Sequence, residues 1–65
     1  MAKFTTRDIG FAIRDFLEDR VICHLNRDGE ERGRDTVEFV DISDADNPVI
    51  HMLGGQTFRV RIFTQ

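Results

Sequence analysis

The sequence predicts an α+β fold: one N-terminal helix packed on a three- or four-stranded antiparallel sheet that ends in a C-terminal β-hairpin. Three observations carry this. Apolar residues recur at helical spacing from Ile9 to Leu17, β-branched or alternating runs fill much of the remainder, and Gly54-Gly55 separates two such runs near the C-terminus. No repeat, low-complexity tract or linker divides the 65 residues, so residues 1–65 read as one small domain.

The helix opens with Thr5 three residues before Asp8. In this capping-box pattern the hydroxyl and the carboxylate each satisfy a free backbone amide, and the acid favours the positive helix end. Ile9, Ala12, Ile13, Phe16 and Leu17 then form the apolar stripe. Val21, His24 and Leu25 are compatible with a helix that continues to Asn26. Arg20, however, would fall in the middle of the buried stripe, which favours a helix over 6–19 and a strand over 20–26. In that strand Val21, Cys23 and Leu25 alternate with Ile22 and His24.

Arg27 to Asp35 holds two glycines, seven charges and no apolar residue, and reads as a solvated loop. Residues 36–42 read as a strand with Val37 and Phe39 inward. Val40 and Ile42 fall on the opposite parity, which points to a bulge or a partly covered second face. Asp44-Ala45-Asp46-Asn47-Pro48 reads as a turn, because Asp and Asn make local side-chain turns and Pro48 cannot continue a central strand. For the hairpin, an even loop would put His51 in the core. A three-residue loop, Leu53-Gly54-Gly55 with Gly55 left-handed, instead turns Ile50, Met52, Phe58, Val60 and Ile62 inward, where the helix should cover them.

The net charge of −3 disfavours a protein that wraps nucleic-acid phosphates. Its distribution is uneven: Thr36 to Pro48 holds four acids and no base, whereas Val49 to Gln65 carries only Arg59 and Arg61. The Met1-Ala2-Lys3 start lacks a signal-like apolar run, and no stretch approaches the roughly 20 apolar residues of a membrane span. With one unpaired cysteine, these features lead to an expectation of a cytoplasmic protein with no membrane partner. So short a chain buries only about 60% of its unfolded surface. Cys23 has no disulfide partner, and Cys23, His24 and His51 fall short of a four-ligand zinc site. The remaining staple is association, with a second copy or a larger partner.

Catalytic and cofactor signals are weak. Cys23 and His24 point to opposite faces of a strand, so the plain reading of Cys23 is a buried, inert thiol. His51 reads as a surface strand residue or a partner contact. Asp41, Asp44, Asp46 and Asn47 lack the spacing of a twelve-residue calcium loop, Gly54-Gly55 lacks the lysine and helix start of a phosphate loop, and Glu30-Glu31 lies in a loop that would not fix two acids at a working distance. The expectation is a protein without catalytic activity, cofactor or metal.

Two features read as interaction signals. Phe11 lies nearly opposite the apolar stripe, among Arg7, Arg14, Asp15 and Glu18, where either Phe4 and neighbouring residues cover it or it anchors a partner. The outer hairpin face carries Val49, His51, Leu53, Thr57, Arg59, Arg61 and Phe63, a composition that interface centres favour. The candidate partner-binding residues are therefore Phe11, His51, Arg59, Arg61 and Phe63. The function expected is non-catalytic binding of another protein or a second copy of the chain, and the alternative is a nucleic-acid-binding module using Arg59, Arg61 and Phe63. In size, acidity and lack of a catalytic set the chain resembles small accessory and inhibitor proteins of phages and mobile elements, a likeness of composition alone.

Overall fold

The computed structural model describes residues 3–65, so the Met1-Ala2 start of the signal-run reading lies outside the described residues. The elements are α1 (Thr6–Leu17), β1 (Val21–Leu25), β2 (Glu31–Asp41), β3 (Val49–Met52) and β4 (Thr57–Arg59). The strands lie in the order β1-β2-β3-β4 and every pairing is antiparallel, which gives the expected α+β architecture with four strands.

The capping box forms as predicted. The Thr5 hydroxyl accepts from the Asp8 amide at 3.2 Å, and the Asp8 carboxylate accepts from the Thr5 amide at 2.8 Å. The helix ends at Leu17, two residues before the predicted end at Asp19, which adopts φ 65° and turns the chain into β1. Arg20 is outside the helix, and its Nε donates to the Phe16 carbonyl at 3.1 Å.

α1 buries a different face from the one its stripe predicts. Gly10 is its one buried residue, and a Cβ there would collide with the Ala45 carbonyl oxygen, so only glycine lets helix and turn backbones approach this closely. The Thr6 hydroxyl, one turn earlier on the same face, donates to the Asp46 carboxylate. Ile13 and Leu17 are half-buried, whereas Ile9 is exposed and Phe16 is 73% exposed. The strand that α1 packs on is β2, so the helix does not cover the hairpin as expected. The core is Val37, Val40 and Met52, with Leu17, Ile42 and Ile50 packed against it.

The segment 27–35 is a second correction. A tight turn over 26–30 closes on the Asn26 side chain, which accepts from the Asp28 and Glu30 amides at 3.0 and 2.9 Å, and β2 begins at Glu31. Residues 31–35 are therefore strand, held by pairing with β1 (Ile22↔Asp35, Cys23↔Arg34, His24↔Gly33) and not by burial.

A bulge does interrupt β2, between Val37 and Phe39. It turns Val37, Val40 and Ile42 to the core and sends Phe39 to the outer face. The inward placement expected of Phe39 is thus overturned, since one extra residue internalises two aliphatic side chains at the expense of one aromatic. The turn before β3 uses its acids locally: the Asp44 carboxylate accepts from the Asp46 amide at 3.2 Å and from Asn47 Nδ2 at 3.1 Å. The hairpin has the predicted loop. Met52 donates to the Gln56 carbonyl at 2.8 Å, Gly55 has φ 105°, and Ile50 faces Phe58. Phe58 is nevertheless 49% exposed, because the helix that was to cover it lies over β2.

The resulting shape is elongated, 41 × 25 × 16 Å, with a radius of gyration of 13.7 Å. A compact domain of this length has a radius of gyration of about 10.7 Å. The accessible surface, 5449 Å², exceeds by about 1,200 Å² the roughly 4,200 Å² expected of a compact monomer of this mass. Much of the extension comes from β1 and residues 31–36 of β2, which form a two-stranded arm beyond the segment where β2 pairs with β3. All of β1 and residues 31–34 are exposed.

Candidate binding surface

Hairpin alternation and the cross-strand pairs Asp41↔Val49 and Val49↔Arg59 put these three residues on the outer face of the sheet. With Arg61 and the turn residues Ser43, Asp44 and Asn47 they line an open groove of about 410 Å³. Two guanidinium groups and two carboxylates share this groove. The ion pairs among the described residues lie elsewhere, Arg14 with Asp15 at 3.0 Å and Arg34 with Glu31 at 2.7 Å. Asp41 is engaged by Ser43, whose hydroxyl and amide donate to it at 2.6 and 2.9 Å. These bonds, the hydroxyl first, hold the Asp41 carboxyl below its ordinary value, and His51 contributes in the same direction.

His51 lies on the same outer face, opposite Thr57, and stacks on Phe39 with ring centroids 4.2 Å apart and planes 10° from parallel. It is a strand residue half-buried on that face, and the bulge that moved Phe39 outward is what supplies its stacking partner. Phe63 is 70% exposed, beyond the last strand and outside the groove lining.

Phe11 stands apart on the helix. It is half-buried, with the Arg7 and Arg14 guanidinium carbons 5.8 and 5.3 Å from its ring centroid. Phe4, one expected cover, is 81% exposed, so the two arginines supply the cover instead. The structure therefore brings His51, Arg59 and Arg61 to one face and leaves Phe11 on another element.

The inner face holds a second, more apolar groove of about 420 Å³, whose lining includes Ile22, His24, Met52 and Phe58. The arm holds the largest surprise relative to the sequence: Cys23 is exposed, not buried. The Glu31 carboxylate beside it pushes the thiol above its ordinary value, opposite to the shift that activates a nucleophile. Sequence reasoning missed the apolar edge of β1. The run Val21-Ile22-Cys23-His24-Leu25, without a charged residue, was the signal that could have shown it.

Among the described residues no group of three His, Cys, Asp or Glu side chains is placed to hold a metal ion, and no helix is long and apolar enough to cross a membrane. The chain matches no protein-family model, no curated protein and no solved structure at a significant level.

Proposed function

We propose that this chain is a small non-catalytic protein-binding domain of accessory or inhibitor type, acting in a reducing compartment such as the cytoplasm. The observation that carries the reading is the ratio of exposed to buried apolar side chains. Among the described residues four hydrophobic side chains are buried, whereas Phe4, Ile9, Phe16, Val21, Ile22, Leu25, Phe39, Leu53, Phe58 and Phe63 are exposed. Exposed aromatic and aliphatic groups at this density are characteristic of surfaces that meet another protein. On the outer face Arg59, Arg61 and the His51–Phe39 stack supply the arginine and aromatic anchors that interface centres favour.

A protein partner is favoured over nucleic acid by the groove itself. Asp41 and Asp44 stand beside Arg59 and Arg61, so the lining lacks the basic surplus that phosphate binding requires. The test is affinity capture from the source cell with the tagged chain and with its Arg59→Ala/Arg61→Ala form, with and without nuclease. A stoichiometric protein that survives nuclease and is lost with the double substitution supports the reading. Partners that vanish with nuclease, or whose binding weakens steeply as salt is raised, refute it in favour of nucleic acid.

A further inference from the structure

We propose that two copies of this chain associate through their β1 edges, antiparallel about a two-fold axis at Cys23, so that two arms merge into one four-stranded ribbon. This goes beyond the protein-binding reading: it names one occupant, and it uses a surface separate from the groove of Arg59 and Arg61.

The arm is the part of the chain that cannot account for its own order. A two-stranded ribbon is marginal in water without further strands or a covered face, and every β1 residue is exposed. β1 also lacks the usual protections of a free edge. It has no proline, lysine or other charged side chain, and of its five residues three are the apolar Val21, Ile22 and Leu25. A third strand is the structure's missing element.

Backbone geometry selects both the partner and the register. Val37 donates to the Arg20 carbonyl at 2.8 Å, so the antiparallel alternation turns the backbone groups of Ile22 and His24 toward β2. The N–H and C=O of Val21 and Cys23 then point to the open side. In a self-pairing, outward residues must meet outward residues, and the register with full overlap of the five-residue strand has its centre at Cys23, itself an outward residue. It pairs Cys23 with Cys23, Val21 with Leu25 and Ile22 with His24. Asp19 of one copy comes into register with Arg27 of the other, opposite charges just beyond the strand ends. Self-complementarity of this kind is what a two-fold interface demands of one surface.

The chain exposes about 1,200 Å² more than a compact monomer of its mass, surplus surface that association of two arms would reduce.

The test uses the intact chain. Sedimentation over a wide concentration range should give twice the 7.5 kDa chain mass, with dissociation on dilution. Hydrogen exchange should show the Val21 and Cys23 amides protected in the dimer and fast in the diluted chain. Cys23→Pro removes an outward N–H that β2 does not use, at an edge position that tolerates proline. It should leave the far-ultraviolet spectrum in place and raise the dissociation constant by roughly 30-fold or more, since the symmetry removes two hydrogen bonds at once. A short bismaleimide should join two Cys23 thiols in the dimer and fail to do so on dilution. A chain that is monomeric throughout overturns the proposal and leaves the protein-binding reading standing. So does a dimer in which the Val21 and Cys23 amides exchange freely, a result that holds even if Cys23→Pro fails to fold.

Discussion

β2 runs through two regions that share a backbone ladder and little else. Around Val37 and Val40 the strand has pairing on its β3 side and α1 packed over it, and both residues are buried. Eleven residues long, the same strand begins in an arm whose first four residues are exposed, where β1 gives it hydrogen bonds and no other described element packs on it. The difference shows that pairing sets the conformation of a strand while covered side chains set its stability. Ladder hydrogen bonds largely replace bonds to water, whereas each buried aliphatic group adds roughly 1.5 to 3 kcal/mol.

The largest expected effect lies where the helix meets the packed region. Gly10→Ala places a methyl group against the Ala45 carbonyl, and neither the helix nor the turn backbone yields as a flexible side chain would. The clash should cost about 3 kcal/mol, well above the roughly 1 kcal/mol that alanine gains over glycine within a helix. Urea unfolding measures it. A Gly10→Ala chain as stable as the parent would mean that the helix is not seated on the turn, and the contrast between a packed half and an open arm would collapse.

Next in size is a pair on the same sheet face. Met52→Ala empties a site in the core and should cost roughly 2 to 3 kcal/mol. Phe58→Ala would cost roughly 3 to 5 kcal/mol if the inward-facing residue were fully buried, but should cost only about 1 kcal/mol, because about half of its surface is already in water. If Phe58→Ala proves the costlier of the two, the inner groove is covered in solution and the hairpin belongs with the packed region.

What was legible in the sequence was local. Thr5 and Asp8 meet within one helical turn, and the parity of Ile50, Met52 and Phe58 about two glycines admits one good loop, so both were read directly. The groove was half legible: period-two alternation puts His51, Arg59 and Arg61 on one face, but Asp44 reaches it from a turn that folds back, which no periodicity encodes. The helix face was misread because a glycine carries no apolar signal, although here its missing side chain decides the seating. Residues 31–35 were misread for a related reason. They contain no apolar residue and become strand only because Asn26 closes a turn that sets β2 beside β1.

The smallest effect is the pH dependence, and it separates the two regions by what each carboxylate holds. The Asp8 carboxyl sits below its ordinary value chiefly because it accepts the Thr5 amide, with the Thr5 hydroxyl adding to this. Glu31 is lowered first by the Arg34 guanidinium and then by the Cys23 thiol. A carboxyl lowered in the folded state binds fewer protons there than in the unfolded chain. Its stabilisation is therefore complete above the unfolded value and is lost as pH falls through the lowered one. Both groups act in the acid limb, but Asp8 holds the helix seated on the packed region and Glu31 holds the arm. Asp8→Asn should flatten the acid limb of global thermal melting. Glu31→Gln should leave that limb in place and flatten only the acid dependence of hydrogen exchange at the β1 amides, because the arm can open while the packed region stays folded. Equal flattening of global melting by both substitutions would show that arm and packed region unfold as one unit, and that the ladder of β2 transmits more than its exposed side chains imply.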